Sequence, residues 1–252
     1  PAIRTADSAG TIIMEGLPIN ALYGWKTNGF FQNYDEIQNA ALPTGIDRSQ
    51  LRPGDVRYVD LNSDGKIDEN DRTYLGYAFP RYTYGFTYNV KWKGIDFSIM
   101  LQGVLKRENP VRGELVQPFH ADYSMTMFDH QLDYWSPQNR DARWPRLGVS
   151  GSVSDTNNWG HTGSDMMLLE GAYMRIKNIQ LGYTLPKKWT KKFGCEALRI
   201  YFDTQNPLTW TKNGFVDPET TSFGNNMSGG ADNSVRNYPT LRYFGGGIDL
   251  TF

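Results

Sequence analysis

With 252 residues the chain has room for one or two ordinary domains, and a formal charge of −1 leaves no basic footprint for nucleic acid. Aromatic residues make up 14% of it and glycines number 26, a mix that favours strands and turns over helices. No apolar run is long enough for a membrane-spanning helix, but the mean hydropathy of −0.56 is compatible with a membrane barrel, whose strands are apolar only at alternate positions.

Cys195 is the single cysteine, so no internal disulfide framework exists. The chain starts at Pro1 without a signal peptide and reads as part of a longer protein. Residues 1–81 read as a region of loops, with one candidate strand near 11–14.

Within it, the stretch Asp60-Leu61-Asn62-Ser63-Asp64-Gly65-Lys66-Ile67-Asp68-Glu69-Asn70-Asp71 follows the spacing of an EF-hand calcium loop. Asp60, Asn62 and Asp64 supply oxygens at positions one, three and five. Gly65 allows the sharp turn, Lys66 offers its backbone carbonyl, and Asp68 and Asp71 stand at nine and twelve. Hard oxygen donors at this spacing predict a structural Ca²⁺ ion. Asp at twelve in place of Glu is a departure that shortens the last ligand. The plain alternative is a turn rich in Gly, Asn and Asp that needs no ion. Pro53-Gly54 before the loop, and the lack of flanking amphipathic helices, argue against a regulatory EF-hand.

Strict alternation begins at Tyr82. Through Trp92 every even-numbered residue is aromatic or Val, and every odd one is small, polar or charged, as on a strand with one apolar face. After a tight turn at Lys93-Gly94, the residues Ile95, Phe97, Ile99 and Leu101 alternate with Asp96, Ser98 and Gln102. Ile179, Leu181, Tyr183 and Leu185 alternate next, and the opposite phase of Met174 and Ile176 predicts a bulge near Lys177-Asn178. Leu198, Ile200 and Phe202 mark a fourth strand, and Ile248, Leu250 and Phe252 a fifth.

These strands read as 82–92, 95–105, 172–185, 197–206 and 240–252. The connections at 92–94 and 186–194 are short. Those at 106–171 and 207–238 are long, polar and rich in Gly, Asn, Asp and Pro. Both short turns then fall on one side of the sheet and both long loops on the other, the asymmetry of an outer-membrane barrel. Tyr82, Tyr84, Trp92 and Tyr183 near strand ends resemble an interfacial girdle. Five strands, or six with 11–14, are fewer than the roughly eight needed to close a barrel, so the sheet requires strands outside this chain. Tyr84, Phe86, Ile99, Leu181, Ile200 and Leu250 are expected to face lipid, and Thr87, Gln102, Gln180, Asp203 and Asp249 the lumen. The outer loops, with a tip near Gly224, Gly229 and Gly230, are expected to meet a partner at the surface.

The order of motifs carries a family resemblance. Glu15-Gly16-Leu17-Pro18-Ile19-Asn20 precedes Leu22-Tyr23-Gly24-Trp25-Lys26-Thr27-Asn28-Gly29-Phe30-Phe31, and Pro53-Gly54-Asp55-Val56-Arg57-Tyr58 leads into the acidic loop. Phe79-Pro80-Arg81-Tyr82-Thr83-Tyr84-Gly85-Phe86, then Tyr173-Met174-Arg175-Ile176-Lys177-Asn178-Ile179-Gln180-Leu181-Gly182-Tyr183, then Gln205-Asn206-Pro207-Leu208 and the segment from Tyr238 to Phe252 complete the series. Together they resemble the C-terminal part of SusC-like, RagA-type TonB-dependent transporters, with Pro207 in place of the usual hydrophobic residue. That resemblance implies an all-β, antiparallel transmembrane barrel of about 22 strands in the bacterial outer membrane. It also implies a SusD-like surface lipoprotein, the TonB complex acting through a missing N-terminal region, and oligosaccharide or peptide substrates.

Catalytic constellations are poor. His120, His130 and His161 share one polar segment without metal spacing, and neither a G-x-S-x-G elbow nor a P-loop occurs, so no enzyme is expected. The alternative function is a secreted, calcium-stabilised β-sandwich that binds carbohydrate, with Trp135, Trp144, Trp159 or Trp210 as stacking platforms or, in the plainer reading, as anchors of loop cores.

Overall fold

A computed structural model describes residues 5–7, 11–111, 113, 116–119, 126–161, 163–219 and 239–252. His120 and the glycine-rich tip at Gly224, Gly229 and Gly230 lie outside the described residues. The described chain divides into two compact units, one built from 80–107, 170–219 and 239–252, the other from the segment up to Phe79 together with Glu108–Leu169.

The first unit is a five-stranded antiparallel sheet. Its strands are β1 (Tyr82–Trp92), β2 (Ile95–Leu105), β3 (Tyr173–Thr184), β4 (Ala197–Thr211) and β5 (Tyr243–Thr251), in the order β5-β4-β3-β2-β1. Alternation over eleven residues in β1 is what a half-apolar strand requires, and β1 and β2 span the segments the sequence indicates. Their turn places Lys93 at φ 47 and Gly94 at φ 86, positive at both central positions, the twist that suits a two-residue hairpin. Between β3 and β4 the chain turns through a helical stretch at Lys187–Thr190 and a 3-10 turn at Lys191–Phe193, ending on left-handed Gly194. Register puts both short turns at one end, where Ile95 stands opposite both Trp92 and Tyr183 and Thr184 opposite Arg199.

A bulge interrupts the β3–β4 pairing between Ile176 and Asn178. It corrects one boundary: β4 does not stop at 206 but runs on to Thr211, so the following loop starts later than the sequence indicates. Asn206 takes a left-handed conformation (φ 50) at the bulge, and Pro207, which has no N–H to offer a ladder, lies where pairing is already broken. A second irregularity falls between Met100 and Leu101.

The second unit contains a four-stranded sheet, ordered Thr5–Asp7, Thr11–Ile13, Ala21–Trp25 and Arg72–Tyr77. Smaller pairings join Thr27–Phe30 to Val56–Tyr58 and Leu42–Pro43 to Lys66–Ile67. One core cluster gathers Val56, Tyr58, Ile67 and Met166, and another Phe31, Ile37 and Leu51. A helix at Tyr34–Asn39 starts where the Asn33 side chain accepts from the Glu36 amide at 2.8 Å.

The long polar segment after β2 is therefore not a featureless loop. It forms short strands at Glu108–Pro110 and Leu168–Glu170 and a helix at Val153–Trp159. Its polarity misleads because much of it is buried and bonded: Gln131, Ser154, Asn157 and Asn158 are all nearly inaccessible. Among the described residues no helix is long and apolar enough to cross a membrane.

Candidate functional site

The five-stranded sheet carries two chemically opposite surfaces. Residues opposite one another in an antiparallel ladder point to the same face. The pairs Phe86–Leu101, Tyr88–Ile99, Leu181–Phe202 and Leu198–Leu250 therefore assemble one continuous apolar face. Tyr84, Phe86, Ile99, Leu181, Ile200 and Leu250 all belong to it, and the bulge at Lys177 brings Met174 and Ile176 onto it despite their phase. The face is exposed: Phe86 is 54% accessible, Leu181 50% and Ile248 63%. So extended an apolar surface exceeds what a soluble monomer ordinarily leaves in water.

The opposite face is polar and holds Thr87, Gln102, Gln180, Asp203 and Asp249. Arg199 lies at the centre of an ion-pair network there. Its guanidinium forks onto Asp96 at 2.6 and 3.0 Å, and also reaches Asp249 at 3.0 Å and Gln180 at 3.2 Å. The pair spreads over Gly182, where a Cβ would stand 2.6 Å from both Asp96 oxygens. Nearer the long-loop end, Arg175 binds Asp217 at 2.6 Å and also Glu219, and Lys177 reaches Glu219 at 2.9 Å. Burial pushes the Asp217 carboxyl up, but hydrogen bonds from Glu219, Thr240 and Arg175 outweigh it and hold the group below the usual carboxylate range.

In the other unit the acidic loop closes on its own backbone. Asp60 accepts from the amides of Ser63 (2.6 Å) and Gly65 (2.8 Å), Asn62 from Asp64, and Asp64 from Lys66. Asp71 is fully buried and accepts from Leu61 and Asp68, both at 2.8 Å, while Asp68 accepts from Asn70 in a reciprocal cap. Asn62 and Asp64 touch side chain to side chain at 3.1 Å. Gly65, at φ 84, makes the turn expected of it. Among the described residues no three His, Cys, Asp or Glu side chains are grouped to hold a metal. The oxygen donors sit in sequence around the loop, each engaged by an amide.

Sequence reading missed a buried polar hub next to this loop. Asp55 is wholly inaccessible and accepts from Arg146 Nε (2.8 Å), Ser154 Oγ (2.7 Å), Asn158 Nδ2 (3.1 Å) and the Arg52 amide (2.8 Å). Asn158 accepts in turn from the Val56 amide, and Asn157 donates to the Val56 carbonyl. Apart from the local Arg52 amide, these partners lie about a hundred residues further on, and no local pattern announces them.

Of the candidate stacking platforms, Trp135 and Trp144 are buried and Trp159 packs against the Val56 cluster, so all three anchor the unit's interior. Trp210 belongs to the apolar face of the sheet. His161 contacts the rings of Trp25 and Tyr58 at 5.2 and 5.0 Å, and burial pushes its imidazole below the ordinary histidine range. His130 lies instead against Phe128 and Trp144.

No family model matches the chain. TonB-dependent receptor P3 of Formosa agariphila is 27% identical over 247 residues, covering 96% of this chain and 23% of the relative. TonB-dependent receptor SusC of Bacteroides thetaiotaomicron is 27% identical over 233 residues, covering 91% of this chain and 20% of the relative. The chain thus spans about a quarter or less of the relatives' length. A structure of the RagAB peptide transporter shares the fold with a TM-score of 0.62 at 22% identity, over 98% of this chain and 24% of that one. The same importer in its "open-open" state gives 0.59 at 19% identity, with the same coverage. Similarity along nearly its whole length, with a shared fold beneath it, makes this chain a relative of the SusC-like TonB-dependent receptors of the bacterial outer membrane.

Proposed function

We propose that the chain is the C-terminal portion of a TonB-dependent outer-membrane transporter that imports oligosaccharides or peptides together with a SusD-like lipoprotein. Energy from the TonB complex would enter through parts of the protein outside this chain. The observation that carries this reading is the two-faced sheet. One face is apolar and uncovered, which suits lipid. The other is polar and laced with ion pairs, which suits an aqueous lumen. Among the described residues β1 and β5 each have a strand on one side only, so further strands are needed to satisfy their edges in a bilayer. A soluble sandwich would instead need its apolar face buried under a second sheet. A peptide importer among the structures of like fold keeps peptides in the substrate class beside oligosaccharides.

The test places one charge on each face. Phe86→Lys puts it on the apolar side and Thr87→Lys on the polar side of the same strand. The first should cost about 2–4 kcal/mol if the position lies near the bilayer midplane and lower the yield of heat-modifiable protein in the outer membrane. The second should assemble normally. Equal yields for the two variants reject the orientation.

Calcium is a separate proposal. With Asp60, Asn62, Asp64, the Lys66 carbonyl, Asp68 and Asp71 as donors, the loop would take one Ca²⁺ that stiffens an irregular segment. Its support is the donor spacing, the turn at Gly65 and the contact between Asn62 and Asp64. The amide bonds that Asp60 and Asp71 already make serve a metal-free loop equally well. Calorimetry should show Ca²⁺ binding that Asp60→Asn with Asp64→Asn abolishes. No heat, together with thermal stability unchanged by chelator, assigns the loop to backbone capping alone.

A further inference from the structure

We propose that the short-turn end of the sheet is a binding surface for anionic phospholipid headgroups, an inference that rests on the transmembrane reading above. The chain holds 11 lysines in all, and Lys93, Lys187, Lys188, Lys191 and Lys192 crowd into the two short turns. Register brings these turns together: the Thr184 amide at the end of β3 donates to the Gly94 carbonyl at 2.7 Å, and Thr184 stands opposite Arg199 at the start of β4. All five lysines are exposed, and no ion pair occupies them among the described residues. The acidic residues at this end are few. Asp96 and Asp249 are already held by Arg199, which leaves Glu196 as the carboxylate outside that network.

Charge alone would suit many anions. The position of these lysines selects lipid. They border the edge of the exposed apolar face, where Trp92 is 64% accessible and paired with Ile95, and Trp189 is 55% accessible between two lysine pairs. Lys93 folds its ammonium over the Trp92 ring at 4.7 Å. An amphipathic indole at the headgroup level, with cations just beyond it, fits the boundary between acyl chains and phosphates. A free phosphate would gain nothing from the apolar border. The short helical stretch at Lys187–Thr190, followed by Lys191 and Lys192, presents its basic side chains on a compact turn that costs little entropy to hold at the interface. The result is a phosphate-facing collar on one rim of the sheet, distinct from the ion pairs on its polar face.

The experiment uses the full-length protein in vesicles of phosphatidylcholine alone or mixed with phosphatidylglycerol. Native mass spectrometry reads the lipid retained after detergent release, and inorganic phosphate serves as competitor. The wild type should retain phosphatidylglycerol preferentially, resist competition by inorganic phosphate, and lose the preference as salt rises through the range where surface charges are screened. Lys187→Gln, Lys188→Gln, Lys191→Gln and Lys192→Gln combined should reduce retention on the order of tenfold while heat-modifiability stays that of the folded barrel. Retention unchanged in that variant overturns the proposal, as does complete displacement by inorganic phosphate. If the variant fails to fold, the salt series on the wild type decides instead, and a preference insensitive to salt overturns the proposal. Failure of the wild type to insert into either vesicle rejects the transmembrane reading itself. Insertion into both without lipid preference rejects only the headgroup surface.

Discussion

Asp55 shows how much one carboxylate organises when water is excluded from it. Four donors converge on its two oxygens, and through Asn157 and Asn158 the strand Val56–Tyr58 is bound to the helix Val153–Trp159. Removing the charge leaves the half-buried Arg146 without its counter-ion. Asp55→Asn should therefore cost about 3 kcal/mol, read as faster limited proteolysis within residues 108–169 of the folded protein. Resistance equal to the wild type would remove Asp55 from the centre of the unit. The neighbouring Asp71 makes the same point from the opposite direction. Its spacing marks it as a calcium ligand, yet its buried carboxylate already closes the loop by accepting the amides of Leu61 and Asp68. Spacing places an oxygen at the right distance along the chain; whether it turns to an ion or to an amide depends on which partner the folded loop offers.

At the scale of the strand, the glycines of the polar face differ sharply in what they make room for. Gly182 lies beneath the Asp96–Arg199 pair, whereas a Cβ at Gly85 would find its nearest neighbour at 3.9 Å, in ordinary contact. Gly182→Val should displace the ion pair and cost about 1–3 kcal/mol, seen as a lower folded fraction after refolding into detergent, and Gly85→Val should refold as the wild type does. Equal refolding of the two variants would show that the Arg199 network yields without penalty. The strands themselves were legible because alternation is a local property, and β1 and β2 appear in full. The bulge at Lys177 was legible too, from a change of phase between Ile176 and Ile179. The continuation of β4 through Pro207 was not, since it depends on Asn206 taking a left-handed conformation opposite that same bulge.

For the molecule as a whole, the loop after β4 serves two purposes that can be separated. Asp217 and Glu219 at its start neutralise Arg175 and Lys177, so a deletion that includes them would leave the buried Arg175 without its counter-ions. Removing 222–235 spares those bonds and tests the partner role alone. Under the proposed function it should reduce co-purification of a SusD-like lipoprotein several-fold while assembly continues, and full recovery of the pair would leave the loop without that role. The amino-acid sequence by itself determined the five strands, their turns and the sorting of side chains into an apolar and a polar set, because each follows from a period of two along a short stretch of chain. Tertiary structure alone decided that the polar segment after β2 folds around Trp135 and Trp144. It alone decided that Asp55 meets Arg146 and Asn158, and that Arg199 joins Asp96 to Asp249 across the sheet. Those contacts join residues far apart in the chain, and around Asp55 their energy exists only once burial has removed the water that would otherwise satisfy each group.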